Sequence, residues 1–149
     1  MSARLDRGAR PMRTDRSALL TTFNEAVIAL GHQCRRLESA IASRYAHEVV
    51  HAAQNAANFW LAGRRACRRL EVESPGSRKA GAARHHLDER YMLLLGLCAQ
   101  AVTVVSASAQ AQLKRVQERL VSEMRRPLVD GDAQRGARSE PVARGAEEK

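Results

Sequence analysis

Apolar residues recur along this chain at spacings of four, three and four, over two long stretches. The first stripe runs through Leu19, Phe23, Ala26, Leu30, Cys34, Leu37, Ile41, Tyr45, Glu48, Ala52, Ala56, Phe59, Gly63, Cys67 and Leu70, and Glu48 is its one charged member. The second runs through Leu87, Tyr91, Leu94, Cys98, Val102, Val105, Ala109, Leu113, Val116, Leu120 and Met124, with no charged member. Eleven residues in three turns is a hendecad period, which favours nearly straight or slightly right-handed helix packing.

Asp15 or Ser17 is placed to cap a helix, and no proline follows until Pro75. Glu73-Ser-Pro-Gly-Ser77 is a break, and Pro127 stops what comes after it. The pattern predicts an all-α fold with a helix over 17–73, a connector over 74–84 and a helix over 85–126. Two stripes of matching period on either side of a short break call for a long antiparallel two-helix hairpin, a hendecad coiled coil. Residues 1–16 form a basic segment with little apolar content, and 127–149 mix Pro and Gly with charges; both read as disordered tails.

Folding the chain about residue 79 sets uncharged Val49–Gly63 against uncharged Leu95–Ala109. It also brings Arg64, Arg65, Arg68 and Arg69 towards Asp88 and Glu89, and Arg35 and Arg36 towards Glu118 and Glu123. Opposite charges flanking an apolar seam help to set orientation. From Tyr91 to Leu113 no residue is charged, and Met92, Leu93, Leu95, Leu97 and Val104 extend the apolar surface around the helix. A helix apolar on most sides is covered on more than one side. A second hairpin would do this, completing a bundle by oligomerisation; so would an apolar non-protein surface. Spanning a bilayer is disfavoured, because Gln100, Thr103, Ser106, Ser108, Gln110 and Gln112 dilute the segment.

Aromatic residues are scarce, so the core must be built from Leu, Val, Ile and Ala, as closely packed helices allow. The formal net charge is +9, and 22 of the 25 basic residues are Arg. With Ala also abundant, this bias is not by itself a nucleic-acid signal. Cys34, Cys67 and Cys98 form no CxxC pair, and an odd number suits no closed disulfide framework. A reduced, cytoplasmic setting is expected, and no apolar run after the first arginines suggests a secretory signal.

One stretch looks like chemistry. His47-Glu-Val-Val-His51 matches HExxH, in which two histidines one turn apart hold zinc and the glutamate acts as general base on the metal-bound water. A zinc metallohydrolase is therefore one alternative, with His47, Glu48 and His51 as its metal and base residues. The context is poor. Gln54 and Ala57 stand where a longer HExxHxxGxxH motif needs Gly and His. Glu71 and Glu73 lie about 30 Å or more along the same predicted helix. On the hendecad wheel the two histidines point sideways, and Glu48 is in reach of Arg44. Glu48-x-x-His51 also matches half of a di-iron bundle site, but no second ExxH exists. The cysteines sit on the stripes and read as small buried apolar groups. Phe59-Trp60 beside Arg64, Arg65, Arg68 and Arg69 offers a basic nucleic-acid-binding coiled coil as another alternative.

The layout resembles the phasins, small helical proteins that coat polyhydroxyalkanoate storage granules in bacteria. The likeness lies in a long Ala-rich amphipathic helix, the Ser74-Pro75 break, and a second helix whose Ala99–Leu120 stretch reads AQAVTVVSASAQAQLKRVQERL. The resemblance implies a non-enzymatic, often oligomeric amphiphile that lays apolar helical faces on a polyester surface. The reading carried forward is of that kind: no catalytic residue, cofactor or metal, and an interaction face of Phe59, Trp60, Leu93, Leu97 and Val104. Its partner is an apolar granule surface, a second copy of the chain or, as a helical adaptor, a partner helix.

Overall fold

The computed structural model describes residues 11–127, so the expected tails at 1–10 and 128–149 lie outside the described residues. Among the described residues the chain is all-α, with four helices and no strand: α1 (Pro11–Ser43), α2 (Ala46–Glu73), α3 (Arg78–Val102) and α4 (Ala107–Arg125). α1 starts inside the segment expected to be a tail. Each of the two expected long helices is divided in two.

The first division falls at Arg44-Tyr45. Arg44 takes φ 60°, the left-handed conformation. Its N–H donates to the Ile41 carbonyl at 3.1 Å, and the Tyr45 N–H reaches back to Ala40 at 3.1 Å. This pair of bonds is the Schellman ending of a helix, with Arg where Gly is usual. Tyr45 is then extended (φ −91°, ψ 94°) and leads into α2.

The second division falls within Val102-Thr-Val-Val105, four β-branched residues in succession and poor helix formers. Thr103 Oγ1 donates to the Gln100 carbonyl at 2.7 Å. Ser106 caps α4 by accepting from the Ala109 N–H. Gln110 Nε2 then donates to the Val102 and Val105 carbonyls at 2.9 and 3.2 Å, satisfying groups the turn leaves open. The middle connector is also shorter than expected. Gly76 takes φ 75°, and Ser77 Oγ accepts from the Ala80 N–H at 3.0 Å, so α3 begins at Arg78 instead of residue 85.

The helices run up, down, up and down. α1 lies antiparallel to α2: Arg36 reaches Glu48 at one end, and Arg16 Nη1 donates to Ser74 Oγ at 2.9 Å at the other. α3 lies antiparallel to α2, with Trp60 Nε1 donating to the Leu87 carbonyl at 3.0 Å. α4 runs parallel to α2, with Arg119 donating to Asn58 at 2.9 Å and Arg68 paired with Glu123. α2 and α3 touch each other and both outer helices, whereas α1 and α4 do not meet. The bundle therefore has a rhombic section with α2 and α3 on its short diagonal, and one chain completes it.

Most of each stripe faces inward, with Tyr45 at the α1–α2 turn left exposed. Leu30, Leu37, Trp60, Leu87, Leu94, Leu113 and Leu120 are fully buried. α2 serves three partners, so it buries a second face through Val49, Ala53, Ala57 and Ala66. Small side chains let the helices approach closely. At Gly63 an added Cβ would stand 3.1 Å from Leu87 Cδ2 and 3.7 Å from Ala26 Cβ, at the meeting point of three helices.

Candidate functional site

The HExxH residues occupy the first turns of α2 on its outer flank. His47 and His51 are exposed, with their rings parallel and their centroids 6.3 Å apart. Glu48 is half-buried and held by Arg36 of α1, not by Arg44 as the sequence suggested. The glutamate is thus engaged between two helices. Among the described residues no group of three or more His, Cys, Asp or Glu is arranged to hold a metal ion.

All three cysteines are free and buried. Burial pushes the Cys67 thiol up to about 11 and the Cys98 thiol up to about 12, and it raises Cys34 as well. Cys67 Sγ lies 3.9 Å from the Ala80 carbonyl, a weak hydrogen bond within the core. Nucleophilic work requires the thiolate, which these sites oppose.

The expected interaction face divides. Trp60 is fully buried, with its N–H spent on Leu87 and its ring 5.4 Å from that of Tyr91; Leu97 is also core. Phe59 and Val104 are half-buried. Leu93 is 38% exposed and adjoins Met92, which is 66% exposed. Gly96 and Ala99 continue this outer strip of α3, and open space surrounds Gly96. The Trp60 and Leu97 expectation is corrected because the turn at Thr103–Ser106 brings α4 back along the bundle. Side chains that one partner helix would leave wet are covered from within the chain.

The arginines of the supposed aromatic-basic patch are also redistributed. Arg64 is only 4% exposed, with its guanidinium 5.6 Å from the Trp60 ring centroid. Its Nη2 donates to the Arg126 carbonyl at 3.0 Å, and its Nε lies 3.5 Å from Glu123 Oε2. Burial lowers its pKa, and the Glu123 charge opposes that shift. Trp60 is therefore no platform for a nucleic-acid base. Arg64 instead lines a cleft of about 430 Å³ with Arg84, Asp88, Arg125 and Arg126. No sequence motif marks this cleft, whose residues come from α2, α3 and the end of α4.

No protein-family model, curated protein or solved structure matches the chain in the comparisons made. No helix among the described residues is long and apolar enough to cross a membrane.

Proposed function

We propose that this chain is a non-enzymatic helical protein that works by binding through the outer strip of α3. The strip either self-associates to form a scaffold or lies on an apolar surface in the manner of a granule coat. One observation carries the reading. Met92 and Leu93 stand exposed side by side within a charge-free stretch, while the stripe residues beneath them are satisfied by the bundle. Gly96 and Ala99 beside them permit close approach of a second helix or a flat surface. Met adapts to irregular apolar partners, and each Å² removed from water stabilises the contact by about 25 cal/mol.

The test is a Met92→Glu, Leu93→Glu double variant. Light scattering after gel filtration reads self-association, and pelleting with polyester particles reads surface binding. The wild type is expected to show one or both, and the variant to lose them while keeping its helical circular dichroism. A wild type that remains monomeric and stays in the supernatant would refute the proposal.

A further inference from the structure

We propose that His47 and His51 form a two-imidazole chelate for a borderline divalent transition-metal ion, such as Cu2+, Ni2+ or Zn2+, on the outer flank of α2. The argument begins with spacing. Residues four apart project from one helical face, one turn above the other. The chain has five histidines, and His47 and His51 are its one pair at that spacing. Their rings lie side by side, 6.3 Å between centroids and 4° from parallel. Both side chains are exposed, so small rotations about their single bonds bring one nitrogen of each ring to about 2.1 Å from a shared ion, the usual imidazole–metal distance.

Availability is the second, independent observation. Neither ring makes a hydrogen bond or ion pair among the described residues. The other histidines are engaged or lack a partner. Arg35 Nη2 donates to His32 Nδ1 at 2.9 Å, His85 Nε2 lies 3.2 Å from Glu89 Oε2, and His86 has no histidine one turn away. The three cysteines, which would compete for a soft ion, are buried. Imidazole nitrogen suits copper, nickel and zinc, whereas magnesium and calcium take oxygen ligands. Two protein ligands leave the remaining positions to water, one ligand short of a catalytic zinc site. The amino-terminal end of α2 opposes a cation slightly, which favours the tightest binder, copper, over nickel and zinc.

Nickel chloride is the probe, titrated calorimetrically into the metal-free full chain, because it does not oxidise free thiols. Saturable binding of one ion per chain is expected. His47→Ala and His51→Ala each remove a ligand from an exposed helical position, so the circular dichroism should not change. Affinity should fall about tenfold or more in each, at least the effect of losing an outer-shell partner. His85→Ala removes an exposed imidazole from α3 and should bind like the wild type. Magnesium chloride should give no saturable heat. The proposal is overturned by an absence of saturable heat with nickel, by unchanged affinity in either pair variant, by an equal loss in His85→Ala, or by equal affinity for magnesium.

Discussion

The Trp60 indole N–H donates to the main-chain carbonyl of Leu87 at 3.0 Å, and this bond sets the register of α2 against α3. Folding the chain about residue 79 places Trp60 opposite Cys98 instead. The two alignments differ by eleven residues, one whole repeat, so the same stripe faces inward in both. Trp60 is the only tryptophan in the chain and is fully buried. Its fluorescence should be blue-shifted in the native protein and move to the red cooperatively with loss of helix. Trp60→Ala should cost about 3–5 kcal/mol, read from urea unfolding, as is usual for a large buried aromatic.

Arg44 holds a left-handed conformation that costs an L-residue with a side chain about 1–2 kcal/mol. Arg44→Gly removes that cost, though glycine adds freedom to the unfolded chain. A net gain of about 0.5–1 kcal/mol is expected, seen as a higher urea midpoint. A loss of stability would mean that the turn is not as described.

Gly63 and Gly81 should respond oppositely to alanine. Both lie within helices, where Gly→Ala is worth about 1 kcal/mol by propensity. At Gly81 nothing stands within 4 Å of the added Cβ, so the gain should appear in full. At Gly63 the Cβ meets Leu87 Cδ2 at 3.1 Å, and overpacking costs about 1–3 kcal/mol. Gly63→Ala should therefore be neutral or destabilising. Thermal melts of the two variants side by side provide the check.

The thiols predict alkaline behaviour. Unfolded thiols ionise near pH 8.5, whereas Cys67 and Cys98 in the fold hold their protons to about 11 and 12. Between those limits the native state binds more protons than the unfolded state, so stability falls as pH rises. Their contribution is fully present below about pH 8.5 and is lost as pH climbs through the folded values. Replacing both by Ala should flatten the decline in urea midpoint above pH 9. A thiol reagent at neutral pH should label all three cysteines only as fast as the protein opens.

The stripes were legible in the sequence, and the turns were not. Leu30, Leu37, Leu94, Cys98 and Leu120, all on the apolar stripes, are core. The α1–α2 turn lacked its usual signal, because Arg44 occupies the position that glycine normally marks. The α3–α4 turn did leave a trace in the Val102–Val105 run and Ser106, but continuous apolar spacing masked it. A repeat cannot fix its own register either. Hence the expected pairing of Arg35 and Arg36 with Glu118 and Glu123 gives way to Arg36–Glu48 and Arg68–Glu123. Of the expected face, Leu93 is exposed and Trp60 and Leu97 are not. A stripe on one helix does not reveal that α2 serves three neighbours. The cleft was illegible because Arg64, Arg84 and Arg126 are brought together only by the fold.

The claim beneath the whole account is that the chain reverses at Arg44 and closes its own bundle, leaving the α3 strip as apolar surface to spare. It is tested most directly by a spin-label distance between Arg16→Cys and Ser74→Cys, with the three native cysteines replaced and the labelled chain diluted into unlabelled protein. The two side chains are in contact at 2.9 Å although 58 residues apart in sequence, so a short distance confined to single chains is expected. A single unbroken helix would hold them about 85 Å apart at 1.5 Å per residue, and that result would contradict the account.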